Sequence, residues 1–429
     1  MTESVSDIVA ELRWRKQIHQ TTDDANIAAW LLEKPRVVYA GFDPTADSLH
    51  VGHLMALTIL RRFQKAGHRP IALVGGATGM IGDPSGKTDE RKQLDQDVLF
   101  HNVECIKKQI SRFLNFGNGP HDAILVNNYD WLSTKTFIEF LRDVGKRFPV
   151  NVMLSKDSVK SRLERDNGLS YTEFSYMLLQ SYDFVHLYRT FGCEMQIGGS
   201  DQWGNITTGI DLARRMDSVQ LYGMTAPLLV KSDGTKMGKS ESGALWLDPE
   251  RVSPYNFYQY WMNAEDADLD KLLRMMTDLC EEEIEAILAE HNAAPEKRFG
   301  QRRVAEELTK IVHGELELAA AQKATDIFFG AEIHDLKDAQ VLSIFADVPS
   351  AEFSRAELQE GIPLADALVR AGVAKTKSEV RRALEQGGMY VNNVRVSDRD
   401  LKLTPASLAS ESAIVLRMGK KKYAVVLIK

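Results

Sequence analysis

Short runs rich in β-branched and aromatic residues alternate with helix-periodic segments through the first half of this 429-residue chain. RVVYAG at 36–41, RPIALVG at 69–75, AILVNN at 123–128, residues 194–198 and APLLVK at 226–231 read as strands. Helical patterns at about 48–66, 97–115, 134–147, 170–188 and 201–216 separate them. Parallel neighbours require long crossovers, and helices of this length supply them. The alternation therefore predicts an α/β domain: a parallel sheet with helices on both faces.

After residue 249 the pattern becomes helical only, with ten acids against two bases over 264–290 and amphipathic segments at 297–313 and 315–328. Residues 331–358 are acidic and weakly periodic, which predicts a linker. The basic end, beginning near Gly361, shows two short helical patterns (LADALVRAG and TKSEVRRALEQGG), a strand pair (MYVNNVRV) and a final strand (KKYAVVLIK). Residues 361–429 hold 13 Lys+Arg against 6 Asp+Glu, in a chain whose net charge is −7. A basic module on an acidic body suits a polyanionic partner, though a solvated basic face has the same composition. With 44% hydrophobic and 26% charged residues, the chain is neither disordered nor a coiled coil as a whole. It has no apolar run of membrane-spanning length, and MTESVSDIVAELRWRKQIHQ lacks the apolar stretch of a signal peptide. Cys105, Cys193 and Cys280 form neither a CxxC pattern nor a disulfide framework, so a reducing cytoplasm is expected.

Two short motifs carry chemistry. His50-Val51-Gly52-His53 opens the first helix, directly after the first strand, with Thr45 just upstream. A helix N-terminus presents free N–H groups and partial positive charge, which suits phosphate, and two imidazoles three apart lie on one face. A metal reading is weak, because no third ligand is near. Lys236-Met237-Gly238-Lys239-Ser240 follows the last predicted strand of the domain and reads as a flexible cationic loop able to close on a polyphosphate. Taken singly, either motif also describes ordinary surface residues. Tyr176, Gln180 and Asp183, at i, i+4 and i+7, share a helical face whose phenol, amide and carboxylate suit a polar ligand. Asp201 and Gln202 open a helix after the Gly-rich QIGGS; Asp201 reads as a nucleotide contact or as an N-cap.

In this order on an α/β chain, the motifs resemble the HIGH and KMSKS signatures of class I aminoacyl-tRNA synthetases. YAGFDPTADSLHVGHL, GGATGMIGDPSGK, TEFSYMLLQSYDF, QIGGSDQWGNITTGIDLARR and DGTKMGKSESGALWLDP narrow the resemblance to bacterial-type tyrosyl-tRNA synthetases, from about Val37 to Lys429. Gly238 departs from the middle serine of KMSKS, and Ala40 stands where many relatives carry cysteine. The resemblance implies a Rossmann-like catalytic domain over 1–248, an α-helical anticodon-side domain over 249–330, a linker over 331–358, and an RNA-binding domain over 359–429 like that of ribosomal small-subunit protein four.

Roles follow by the same resemblance. Tyr176, Gln180 and Asp83 would take the ammonium of tyrosine, and Tyr39 and Asp183 its phenol hydroxyl. Gln202 would lie near the carboxylate or the ribose. Gly41, Asp43, His50, Gly52, His53, Asp201 and Lys239 would contact ATP. Thr45, His50, His53, Lys236 and Lys239 would act catalytically on the phosphates, with Lys87 and Arg91 on a second cationic arm that otherwise reads as surface charge. Lys375, Lys377, Arg381, Arg382, Lys420, Lys421 and Lys422 are candidate RNA contacts. Mg²⁺ is expected to arrive with ATP, with no protein-caged metal and no tightly bound organic cofactor. The expected partners are tyrosine, ATP, tRNA and a second copy of the chain, meeting through helices near 130–165, with no membrane.

Overall fold

The computed structural model describes residues 5–85, 94–163, 168–240, 243–333, 336–345, 348–419 and 422–429. These form two compact units: residues 1–252 with 260–312, and residues 253–259 with 313–429.

The first unit is built on a six-stranded sheet. In chain order its strands are β1 (Gln20–Thr21), β2 (Val37–Phe42), β3 (Arg69–Val74), β4 (Ile124–Asn127), β5 (Cys193–Gly199) and β6 (Tyr222–Ala226). In space the order is β1-β6-β5-β2-β3-β4. β2 to β6 pair in parallel, and only β1 is antiparallel, on β6. The central strands are buried on both faces, as VVYAGF and RPIALV require. The chain builds outward from β2 through β3 to β4, then returns to place β5 and β6 on the other side of β2. This reversal opens a crevice at the carboxyl ends of β2 and β5, the usual ligand position in such sheets. Helix Tyr171–Phe191 packs over it, with Phe184, Val185 and Leu187 in one core with Tyr39, Ile71 and Leu73.

Three expectations need correction. The strand expected at 226–231 lies earlier, at Tyr222–Ala226. Pro227 lacks the N–H that a central strand must donate, and Val230 makes only an isolated bridge. The stretch 249–330 is shared between the two units rather than forming one domain. Its residues 260–312 join the first unit, where buried Arg15 and Arg62 hydrogen-bond the carbonyls of Arg274, Met275, Thr277 and Leu279. Helix Glu315–Phe328 belongs to the second unit, and its Ala324 and Ile327 share a core with Val415 and Tyr423.

The linker expected over 331–358 is structural. Ile333, Leu336, Val341, Ile344 and Phe345 are buried in that same core. Ser350–Phe353 forms the edge strand of a five-stranded sheet, parallel to Lys422–Ile428. Apolar residues spaced through an acidic stretch show little periodicity, so composition does not reveal this packing. The rest of that sheet is antiparallel: Met389–Val391, Val394–Val396 and Ala413–Met418 with Lys422–Ile428. Two short helices, Leu364–Arg370 and Lys377–Glu385, complete the basic unit.

Candidate active site

The switch crevice gathers residues from five separate stretches of the chain. Tyr176, Gln180 and Asp183 lie on helix Tyr171–Phe191, with Tyr176 and Asp183 buried. Both oxygens of Asp183 accept hydrogen bonds: Oδ2 from Asn128 Nδ2 at 2.9 Å and Oδ1 from Trp131 Nε1 at 2.8 Å. Burial pushes the Asp183 carboxyl up to about 7, and the two donors pull it back toward the ionised form. Tyr39, on β2, is 1% exposed, and its hydroxyl has no hydrogen-bond partner among the described residues. Burial and then the charge of Asp183 raise this phenol well above its ordinary range, so it is a neutral donor.

A polar chain continues from Asp183. Asn128 Nδ2 also donates to Thr78 Oγ1 at 3.0 Å, Thr78 donates to Asp43 Oδ1 at 2.9 Å, and the Tyr176 hydroxyl donates to Asp43 Oδ2 at 3.0 Å. A second cluster joins β5 to the turn after β3. Gln202 Nε2 donates to Asp83 Oδ2 at 2.7 Å, and Gln180 Nε2 donates to Gln202 Oε1 at 3.3 Å. Asn205 Nδ2 reaches Gln180 Oε1, Gln202 Oε1 and Ser85 Oγ at 3.0–3.2 Å. The structure thus brings Asp83, Gln180 and Gln202 together, and Tyr176 with Asp43.

Sequence reasoning missed Thr78, Ser85, Asn128, Trp131 and Asn205. Asn128 had a visible signal: an Asn pair closes AILVNN at the carboxyl end of a parallel strand, on the ligand edge of the sheet. Trp131, three residues on, had none.

The histidine motif is built differently. His50 is the N-cap of helix Val51–Lys65. Its Nδ1 accepts from the Gly52 N–H at 3.0 Å, and His53 Nδ1 accepts from the His50 N–H at 3.1 Å. Each neutral ring therefore carries its proton on Nε2, a donor suited to a phosphate oxygen. The rings stack with centroids 3.9 Å apart. A Cβ at Gly52 would come within 2.8 Å of the His50 ring, so glycine is what permits the cap. Gly41 is exposed near the end of β2, Thr45 is exposed just beyond it, and Asp201 is exposed in the turn after β5.

The second motif is laid along the first. Val51 N–H donates to the Leu245 carbonyl at 3.1 Å, Leu247 N–H to the Leu49 carbonyl at 2.8 Å, and Leu245 N–H to the Gly238 carbonyl at 2.6 Å. His50 and Trp246 form an antiparallel bridge between these segments. Lys236 is exposed and Met237 buried; Lys239 lies in a short ladder with Ala244, and its side chain is outside the described residues. Gly238 is buried with φ of +83°, where serine would be strained, so the departure from KMSKS matches the backbone. Lys87 and Arg91 lie outside the described residues.

In the second unit Lys375, Lys377, Arg381 and Arg382 are exposed on or beside helix Lys377–Glu385. Lys377 pairs with Asp366, and Lys422 reaches Glu379 of the same helix at 3.7 Å. Lys420 and Lys421 lie outside the described residues.

This layout has counterparts among known proteins. A family model described as tRNA synthetases class I (W and Y) matches residues 32–330. A second, described as tyrosine–tRNA ligase SYY-like C-terminal domain, matches residues 340–426. The curated tyrosine–tRNA ligase of Rhodopirellula baltica is 53% identical over 425 residues, covering 99% of this chain and 97% of its own. That of Geobacillus stearothermophilus is 49% identical over 420 residues, 97% and 98% of the two chains. Among solved structures, a C-terminally truncated mitochondrial tyrosyl-tRNA synthetase of Aspergillus nidulans superposes with a TM-score of 0.68 at 30% identity, covering 75% of this chain and 94% of its own. The chain belongs to the class I tRNA synthetases and, within them, to the tyrosine–tRNA ligase family.

Proposed function

We infer that this chain activates L-tyrosine with ATP, forming tyrosyl-adenylate and pyrophosphate, and then transfers the tyrosyl group to the 3′-terminal ribose of tRNA(Tyr). The observation that carries the substrate is the buried Tyr39 hydroxyl, without a partner among the described residues, beside an Asp183 held by Asn128 and Trp131. A substrate phenol placed there donates to Asp183 and accepts from Tyr39. Phenylalanine leaves the Tyr39 hydroxyl unpaired and denies Asp183 a third donor, a penalty for which tyrosyl enzymes are themselves the known example. Asp83, Tyr176, Gln180 and Gln202 meet the ammonium and carboxylate end.

The tyrosine carboxylate attacks the α-phosphate, and pyrophosphate leaves. A carboxylate is already a nucleophile at neutral pH, so no general base is needed, and catalysis is positioning and charge stabilisation. Thr45 and the Nε2–H groups of His50 and His53 meet the phosphates from the helix side. Lys236 and Lys239, with Lys87 and Arg91, take the charge that moves onto pyrophosphate. Gly41, Asp43, Gly52 and Asp201 form the nucleoside side of the ATP site. Mg²⁺ enters as part of the ATP substrate.

The exposed basic residues around helix Lys377–Glu385, with Lys422, support binding to the tRNA backbone. A homodimer is supported by exposed large apolar side chains close together in sequence, with Phe137 65%, Ile138 70% and Val150 60% exposed. Among the described residues no helix is long and apolar enough to cross a membrane, and the three cysteines are free, which suits the cytoplasm. Amino-acid-dependent ATP–pyrophosphate exchange tests the reading. Tyrosine alone should support exchange. Exchange with tryptophan would overturn the roles of Tyr39 and Asp183, and none with any amino acid would overturn the enzyme.

A further inference from the structure

The loop that carries Lys236 and Lys239 is fastened by side chains outside both motifs. Tyr260, near the end of helix Pro254–Met262, accepts a 2.9 Å hydrogen bond on its hydroxyl oxygen from the Gly238 N–H. Gly238 is buried between the two lysines in sequence, at a backbone angle open to glycine. The base of the loop is held as well. Val230 bridges Lys236, the Val230 carbonyl accepts from Lys271, and Ser232 donates to Glu265 at 3.2 Å. The Tyr260 ring is fixed edge-on against fully buried Trp261, with centroids 4.9 Å apart at 88°. A phenol held by ring packing is thus aimed at an N–H that lies between the two lysines in sequence.

We propose that Tyr260 is a positioning residue for phosphate chemistry: its hydroxyl sets the backbone at Gly238 so that Lys236 and Lys239 both address the leaving pyrophosphate. The proposal rests on the assignment of those lysines made above. A buried N–H that loses its acceptor drives the backbone to conformers that rehydrate it, and glycine offers little resistance to such a move. The lysines then spend less time in the productive geometry, where small displacements cost much of the rate. The tyrosine pocket, on helix Tyr171–Phe191, is not part of this contact.

The test uses the full chain, with Tyr260→Phe and Lys236→Ala compared in ATP–pyrophosphate exchange, varying tyrosine and ATP separately and recording Tm. Tyr260→Phe keeps the ring and its packing. It should lower kcat about tenfold, with the KM for tyrosine and Tm unchanged. Lys236→Ala should lower kcat by about 100-fold or more. If Lys236→Ala shows that loss and Tyr260→Phe is wild-type, the positioning role is overturned and the loop assignment stands. If neither variant loses activity, the loop assignment itself fails. If Tyr260→Phe lowers Tm and raises the tyrosine KM along with its loss in kcat, Tyr260 only maintains the fold and the proposal is overturned.

Discussion

The two sides of the crevice solve different problems. The side proposed to take tyrosine is buried and wired in advance: Asp183, Asn128, Thr78, Asp43 and Tyr176 form one hydrogen-bonded chain, and the Tyr39 hydroxyl beside it has no partner among the described residues. The side proposed to take the phosphates is more exposed. Its histidines are oriented by helix-cap bonds to backbone, and Lys236 stands in solvent. Selection of one amino acid by a single hydroxyl needs a dry site, where an unpaired polar group is costly. A polyanion that must enter and leave as pyrophosphate needs oriented donors and cations that need not be buried. On the proposed roles, recognition falls to rigid elements, and charge handling to a helix terminus and a tied loop.

Substitutions should separate the two sides. Lys236→Ala should give the largest effect, a loss of about 10²–10³ in kcat for adenylate formation, with equilibrium binding of tyrosine unchanged. A parallel loss of tyrosine affinity would dissolve the distinction. Asp183→Ala should do the reverse. It strands the Asn128 and Trp131 donors and should weaken tyrosine binding about 100-fold, with most of the preference over phenylalanine lost; direct binding of the two amino acids checks this.

Trp131→Phe is milder and sharper. Removing one donor raises the Asp183 carboxyl further above about 7. The pH at which tyrosine affinity reaches half its maximum should move up by about one unit, read from binding between pH 5 and 9. In the unchanged chain, affinity should rise with pH through about 7, because the substrate phenol donates to a carboxylate. Stability runs the other way. Between 3.8 and about 7, folded Asp183 keeps a proton that the unfolded chain has released, so this group's contribution falls as pH rises through that window. The smallest effect belongs to the basic unit. Arg381→Gln should weaken tRNA binding a few-fold and reduce the slope of log K against log salt by about one, with pyrophosphate exchange unaffected.

Much of the site is legible in the sequence. The i, i+4, i+7 face of Tyr176, Gln180 and Asp183 follows from helical periodicity, and His50–His53 at a helix start follows from strand–turn–helix order. The partners of those residues are not legible there. Asn128 and Trp131 follow β4, about fifty residues before Asp183, and meet it only because the fold brings the carboxyl end of β4 to helix Tyr171–Phe191. The buried residues between 331 and 358 are hidden for a related reason. Their apolar positions make sense only against Val415 and Tyr423, which follow much later in the chain.

Local chemistry is therefore the province of the sequence: which segments form strands and helices, and where the histidine pair opens a helix. Strand, helix and cap positions depend on neighbours within a turn or two, through sterics and backbone hydrogen bonding. Tertiary structure alone decided which donors reach Asp183, that Tyr39 is left without a partner among the described residues, that residues 245–247 pair with 49–51, and that Tyr260 reaches Gly238. Those are contacts between groups distant along the chain, and desolvation exists only once the chain has closed around them.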